Sequence, residues 1–163
     1  MSFKPQAGRP LILGVDPGLN GALAWYNFKT KKLVSVVDAP ILNSVPKDID
    51  DLKMWELVGM NAEQTAFAVI EQVGAAPNDA KGAIFTFGER FRAIKTITTI
   101  HQIPQFFVRP SVWKPLVGLS GDKSESRVMA SAKFPGFADS FKRAKDDGRA
   151  EAALLAAFGE RML

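Results

Sequence analysis

Four acidic residues stand at the ends of otherwise apolar stretches. "LILGVD" stops at Asp16, "AFAVIE" stops at Glu71, and "DGRAEAALLAA" opens on Asp147 with Glu151 four residues further on. On a helix, residues four apart share a face one turn apart, which pairs Asp147 with Glu151. Carboxylates gathered in one place repel each other and resist burial unless a cation neutralises them. Hard oxygen donors suit Mg²⁺ or Mn²⁺, ions that keep part of their water and share phosphate oxygens with a substrate. Two such ions activate a water and stabilise the leaving oxygen of an in-line phosphodiester displacement, so the chemistry indicated is that of a nuclease. Cysteine is absent and His101 is the sole histidine, which excludes thiolate and multi-histidine zinc sites.

Each signal also has a plainer reading. Asp-Pro-Gly is a common turn former, and "KDDGRAEA" reads as the acidic first turn of a helix, with Asp146 placed to cap it. The metal reading rests on the recurrence of acids at the ends of apolar elements.

The elements that must position these residues follow from periodicity and turn chemistry. Short apolar runs over 10–16, 22–28 and 33–38, joined by brief polar connections, read as three antiparallel strands. A Pro-, Asn- and Ser-containing loop over 39–46 leads to a helix over 50–61, its apolar residues being Leu52, Trp55, Leu57 and Val58. "AFAVI" is a fourth strand, followed by a loop over 74–78. Ile84, Phe87, Phe91, Ile94 and Ile97 then mark a long helix over 80–100. A fifth strand over 105–108 precedes a short helix over 111–117, a turn over 118–122 and a helix over 123–133 ended by Pro135-Gly136. A last helix begins near Asp147, with Ala150, Leu154, Ala157 and Phe158 on one side. This order predicts an α/β fold in which a five-stranded mixed sheet is flanked by helices. Gly21, after the first strand, is read as leaving room for a DNA backbone.

The chain has 163 residues, 47% of them hydrophobic and 23% charged, and residues 1–163 are read as one domain with one substantial core. A net charge of +4 and a pI near 9.4 suit a polyanionic partner, with basic residues concentrated over 90–95 and in the C-terminal half. With no long apolar run and no secretory pattern, the expected location is the cytoplasm, in a bacterial or phage-infected cell.

"ILGVDPGLNGALA", "AVIEQVGAAP", "VRPSVWKPLVGLSGDKSESRVMASAKFP" and "KDDGRAEAALLAA" resemble, in the same order, the motifs of RuvC-type Holliday junction resolvases of the ribonuclease H-like superfamily. The closest look is to the phage, bacterial and chloroplast branch, and the resemblance runs from Leu11 to Ala157. It implies a homodimer that binds a four-way DNA junction and nicks two opposed strands symmetrically with Mg²⁺ or Mn²⁺, leaving 5′-phosphate ends. It further implies Asp16, Glu71, Asp147 and Glu151 as catalytic metal ligands. Lys123, and less specifically Lys114 of the "WK" pair, take the place of lysines near the DNA backbone.

Some positions depart from the pattern. The acidic pair of the last helix is spaced four apart where bacterial RuvC has Asp-x-x-Asp, which leaves Asp146 as a further candidate ligand. The aromatic that follows the fourth-strand glutamate in the family is Gly74, with Phe85 or Phe87 as candidates for its stacking role. Three other readings fit parts of the pattern. These are a related nuclease cutting flaps, other branched DNA or RNA:DNA hybrids, a non-catalytic junction binder, and a sugar-kinase or actin-like phosphate binder, whose two-domain architecture is too large for this chain.

Overall fold

The computed structural model describes residues 4–44, 47–72, 74, 81–120 and 122–163, with the side chains of Lys81, Ala83 and Lys123 outside that description. The loop expected over 74–78 lies outside it apart from Gly74.

Five strands form one mixed sheet in the order β3-β2-β1-β4-β5: β1 Leu11–Asp16, β2 Ala22–Asn27, β3 Lys32–Asp38, β4 Thr65–Glu71 and β5 Gln105–Val108. The first three make an antiparallel meander, as their short connections demand, while β4 and β5 run parallel to β1. Among the described residues, five α-helices cover the sheet: α1 Asp51–Gly59, α2 Lys81–Ile100, α3 Pro110–Leu116, α4 Lys123–Lys133 and α5 Asp147–Phe158. The expected α/β architecture is therefore the one observed.

Strand alternation divides the core in two. Ile12 of β1 with Phe67 and Val69 of β4 face a core shared with α3, α4 and α5. Leu11, Leu13 and Val15 with Ala68 and Ile70 face the opposite core, shared with α1 and α2. The same parity sends Asp16 and Glu71 to the α5 side.

Glycine and alanine allow α5 to lie directly on the sheet. A Cβ on Gly14 of β1 would collide with the Ala152 carbonyl and stand 2.6 Å from the Ala156 nitrogen, both backbone atoms of α5. At the start of α5, Gly148 is pressed against the Asn20 carbonyl and lies next to Gly21. Gly21 in turn has the Asp16 and Gly18 carbonyls where a Cβ would go. Its smallness is required by the chain's own turn.

Two further expectations change. In α1 the buried residues are Met54 and Val58, whereas Leu52 and Trp55 are 66% and 44% exposed, and Trp55 stacks on His101 across the helix pair. Helix α5 has no single apolar side. Sheet and α4 enclose it, so Ala150 and the whole run Ala152–Ala156 are buried. Beyond α4, Pro135 starts a 3₁₀ segment, Pro135–Phe141, that buries Phe141.

Candidate active site

Parallel pairing places Val15 opposite Ile70, so the next residue on each strand, Asp16 and Glu71, emerges at the same end of the sheet. Asp16 turns the chain as well as ending the strand: its Oδ1 accepts the Gly18 N–H at 3.1 Å. Glu71 is buried, 5% exposed, and its Oε1 accepts the Trp113 indole N–H at 2.9 Å. Burial pushes the Glu71 carboxyl up to about 7. The negative charges of Asp16 and Glu151 push the same way, against the Trp113 hydrogen bond and the Lys114 charge.

The close seating of α5 brings in the other pair. Asp16, Asp147 and Glu151 line one open cavity of about 350 Å³, together with the 18–21 turn, Ala144, Lys145 and Gly148. Each α5 carboxylate has a cation. Lys114 Nζ lies 2.7 Å from Glu151 Oε1, and the Arg127 guanidinium donates to Asp147 Oδ1. Ser126, buried in α4, also donates to Glu151 Oε1 at 3.4 Å.

Consecutive residues of α3 thus serve different acids. Trp113 holds Glu71 and Lys114 neutralises Glu151, placing Lys114 inside the acidic site and only 18% exposed on its side chain. Lys123 begins α4, and its side chain lies outside the described residues. Asp146 does not cap α5. Its buried carboxylate accepts the Arg143 backbone N–H at 2.8 Å and pairs with the Arg143 guanidinium, fastening the 3₁₀ turn Ala144–Asp146. These bonds hold its carboxyl below the usual carboxylate range. His101 is engaged elsewhere, its Nε2 2.9 Å from the Trp55 carbonyl. Of the candidate stacking residues, Phe85 is exposed and Phe87 packs on Phe91 with ring centres 6.2 Å apart.

The donor set suits a hard divalent cation: three carboxylates line one cavity, and a fourth is close enough to feel two of them. Among the described residues, no three acidic side chains stand close enough together to cage an ion as they are. Lys114 and Arg127 each bond one oxygen of an α5 carboxylate. Trp113, Ser126 and Arg127 were not singled out from sequence. Trp113, adjoining Lys114 in "WK", was the one available signal.

No family model and no curated protein matches the sequence. Solved structures match its fold. RuvC of T. thermophilus in complex with a Holliday junction substrate superposes with a TM-score of 0.61 at 18% identity, covering 93% of this chain and 95% of that one. A further Thermus thermophilus RuvC structure gives 0.57 at 18% identity, with 93% and 96% covered. The fowlpox virus Holliday junction resolvase gives 0.54 at 17% identity, with 94% and 99% covered. The sheet and its flanking helices have the ribonuclease H-like fold of these proteins.

Proposed function

We propose that this chain is a RuvC-type Holliday junction resolvase, a single-domain crossover junction endodeoxyribonuclease that uses a divalent metal to nick two opposed strands symmetrically. The observation that carries this reading is the cavity that unites Asp16, Asp147 and Glu151 next to buried Glu71, on a fold shared with junction resolvases. A non-catalytic binder has no need to gather these acids at a cost in mutual repulsion.

Asp16, Glu71, Asp147 and Glu151 would hold Mg²⁺ or Mn²⁺, two ions per site. When bound, the metal supplies Lewis acidity for the attacking water and for the departing oxygen. The protein supplies position. Strands β1 and β4 fix Asp16 and Glu71 on a rigid sheet, Trp113 orients Glu71, and Arg127 and Lys114 hold the α5 carboxylates ready. In the overall step a water oxygen bonds to phosphorus in line with the 3′ oxygen. The P–O3′ bond breaks, the 3′ oxygen takes up a proton, and a 5′-phosphate remains. Lys123 is assigned to the neighbouring DNA phosphates, whereas Lys114, expected beside it, is committed to Glu151; junction binding by the basic chain weakens steeply as salt rises. A two-fold homodimer matches a junction that presents two equivalent strands.

The test is an end-labelled mobile junction incubated with Mg²⁺ or Mn²⁺, beside a flap and an RNA:DNA hybrid. Paired symmetric nicks confined to the junction are expected. Asp16→Asn should bring cutting below detection while junction binding persists. Cutting by that variant at the wild-type rate would overturn the assignment, and preferential cutting of the hybrid or flap would move the substrate to a related nuclease class.

A further inference from the structure

A second basic concavity lies at the end of the sheet opposite the carboxylates. Its open cavity, of about 310 Å³, is lined in part by Lys31, Lys32, Lys133, Phe134, Pro135 and Phe137, from the β2–β3 turn and the C-terminal end of α4. Lys31 is committed within the chain. Its ammonium lies 2.5 Å from Glu160 Oε2, while Glu160 Oε1 accepts from the Tyr26 hydroxyl. Lys32 and Lys133 are exposed, and among the described residues neither pairs with a carboxylate; the Lys133 charge reaches Glu160 through space only.

The backbone that carries both lysines is held. Asn27 Oδ1 accepts the Lys29 and Thr30 N–H groups, each at 3.0 Å, and so fixes the turn into β3. Tyr26 braces both walls: its ring meets buried Phe134 edge-on with centres 6.0 Å apart, and its hydroxyl holds Glu160, the partner of Lys31. Lys133 Nζ stands 5.9 Å from the Phe134 ring centre, a contact that limits its wandering. An anion entering here has to order only side chains.

Spacing ties this cavity to the first. Strand β3 begins at Lys32 and ends at Asp38, which pairs with Ala22, itself opposite Asp16. At about 3.3 Å per residue, its seven residues span about 20 Å. Duplex DNA advances about 3.4 Å per base pair, so that span is about six base pairs of an arm. The chain also runs from one cavity to the other, from Pro135 through exposed Lys142, Arg143 and Lys145 to Asp147. Basic groups at both ends and between them suit an extended polyanion better than a compact anion.

We infer that this cavity is a second nucleic-acid contact, in which Lys32 and Lys133 bind backbone phosphates of a duplex arm about six base pairs from the cut. The inference rests on the junction-cutting reading above and adds to it the course of one arm, along the 135–146 side of the protein. Lysine suits the role because its compact ammonium can follow a phosphate oxygen without the fixed fork of arginine.

The experiment compares wild type with the pairs Lys32→Ala/Lys133→Ala and Lys32→Arg/Lys133→Arg. Lys47→Ala/Lys53→Ala, which removes two exposed lysines at and just before α1, is the charge-matched control. Each protein is titrated across a salt series, in Ca²⁺, with a four-way junction. A second junction carries uncharged methylphosphonate linkages about five to seven base pairs from the cutting site in all four arms. For the alanine pair on the unmodified junction, the slope of log affinity against log salt should flatten by about 0.9 for each of two phosphates, and the arginine pair should restore it. Wild type on the methylphosphonate junction should lose at least as much slope, and there the alanine pair should match it. The control should keep the wild-type slope on the unmodified junction. An alanine pair with wild-type slope overturns the inference, and so does equal flattening in the control. A methylphosphonate junction that wild type binds as it binds the unmodified one overturns it too, and this result does not depend on how well any variant folds. In each case wild type still binds the junction and the junction reading stands. Wild-type protein that neither binds nor cuts the junction overturns the junction reading, and this inference with it.

Discussion

The two faces of the sheet are built on different terms. On the α5 side, backbone meets backbone: Gly14 touches the Ala152 and Ala156 main chain, and Gly148 meets the 20–21 turn. On the other side, α1 and α2 pack through larger side chains such as Met54, Ile94 and Ile97, while Leu52 and Trp55 stay exposed. Both buried carboxylates among the described residues, Glu71 and Asp146, belong to the α5 side. On the metal-binding reading proposed above, the tight face suits the charge because carboxylates must be held at fixed separations to share a cation. A helix spaced off the sheet by large side chains would hold Asp147 and Glu151 farther from Asp16.

The largest expected effect tests the buried charge. A carboxyl whose titration is raised in the fold binds its proton more tightly there than in the unfolded chain, so protonation favours folding. For Glu71 that contribution is complete below its ordinary value of 4.5 and is lost as pH rises through about 7. In chelator, the metal-free protein should therefore lose stability between pH 5 and pH 8, by about 3 kcal/mol at most. Urea titrations at both pH values measure this, and Glu71→Gln should remove most of the difference. A wild-type profile as flat as that of the variant would show that Glu71 is not buried in solution.

Next in size is a test of the close packing. Gly14→Ala inserts one methyl where neither neighbouring backbone atom can turn aside, so α5 has to lift from β1. The expected loss is about 2 kcal/mol, with junction nicking falling further than stability because Glu151 moves with the helix. Denaturation midpoints and nicking rates under folded conditions separate the two effects. Wild-type stability in Gly14→Ala would remove the distinction between the faces.

Local pattern revealed the elements and the acids more readily than their partners. The fifth strand over 105–108 and the helix over 123–133 match the observed bounds, because apolar runs and breaking residues act over a few positions. The apolar face of α1 was misassigned because Trp55 satisfies itself against His101, 46 residues away, and leaves the core to Met54. In α5 the small residues conceal burial on every side, since alanine carries too little hydrophobic contrast to mark the second face. The Trp113–Glu71 bond spans 42 residues and the Arg127–Asp147 pair 20, so no spacing rule announces either one. The parity that turns Asp16 and Glu71 toward the same face was present in the sequence. It became informative once β1 and β4 were known to be neighbours in register.

The smallest effect comes from the open face and has the opposite sign. Gly88 lies within α2, exposed, and a Cβ there would meet nothing within 4 Å. Glycine in a helix interior costs stability because the unfolded chain gains so much freedom, so Gly88→Ala should stabilise the protein by about 0.5–1 kcal/mol. Junction nicking should stay at the wild-type rate, since α2 packs on the sheet face opposite the four carboxylates. Measured by denaturation beside Gly14→Ala, the same one-methyl change would then have opposite signs on the two faces. A destabilised Gly88→Ala would mean that something covers α2 in solution, and that the looser face is closed by a contact outside this chain.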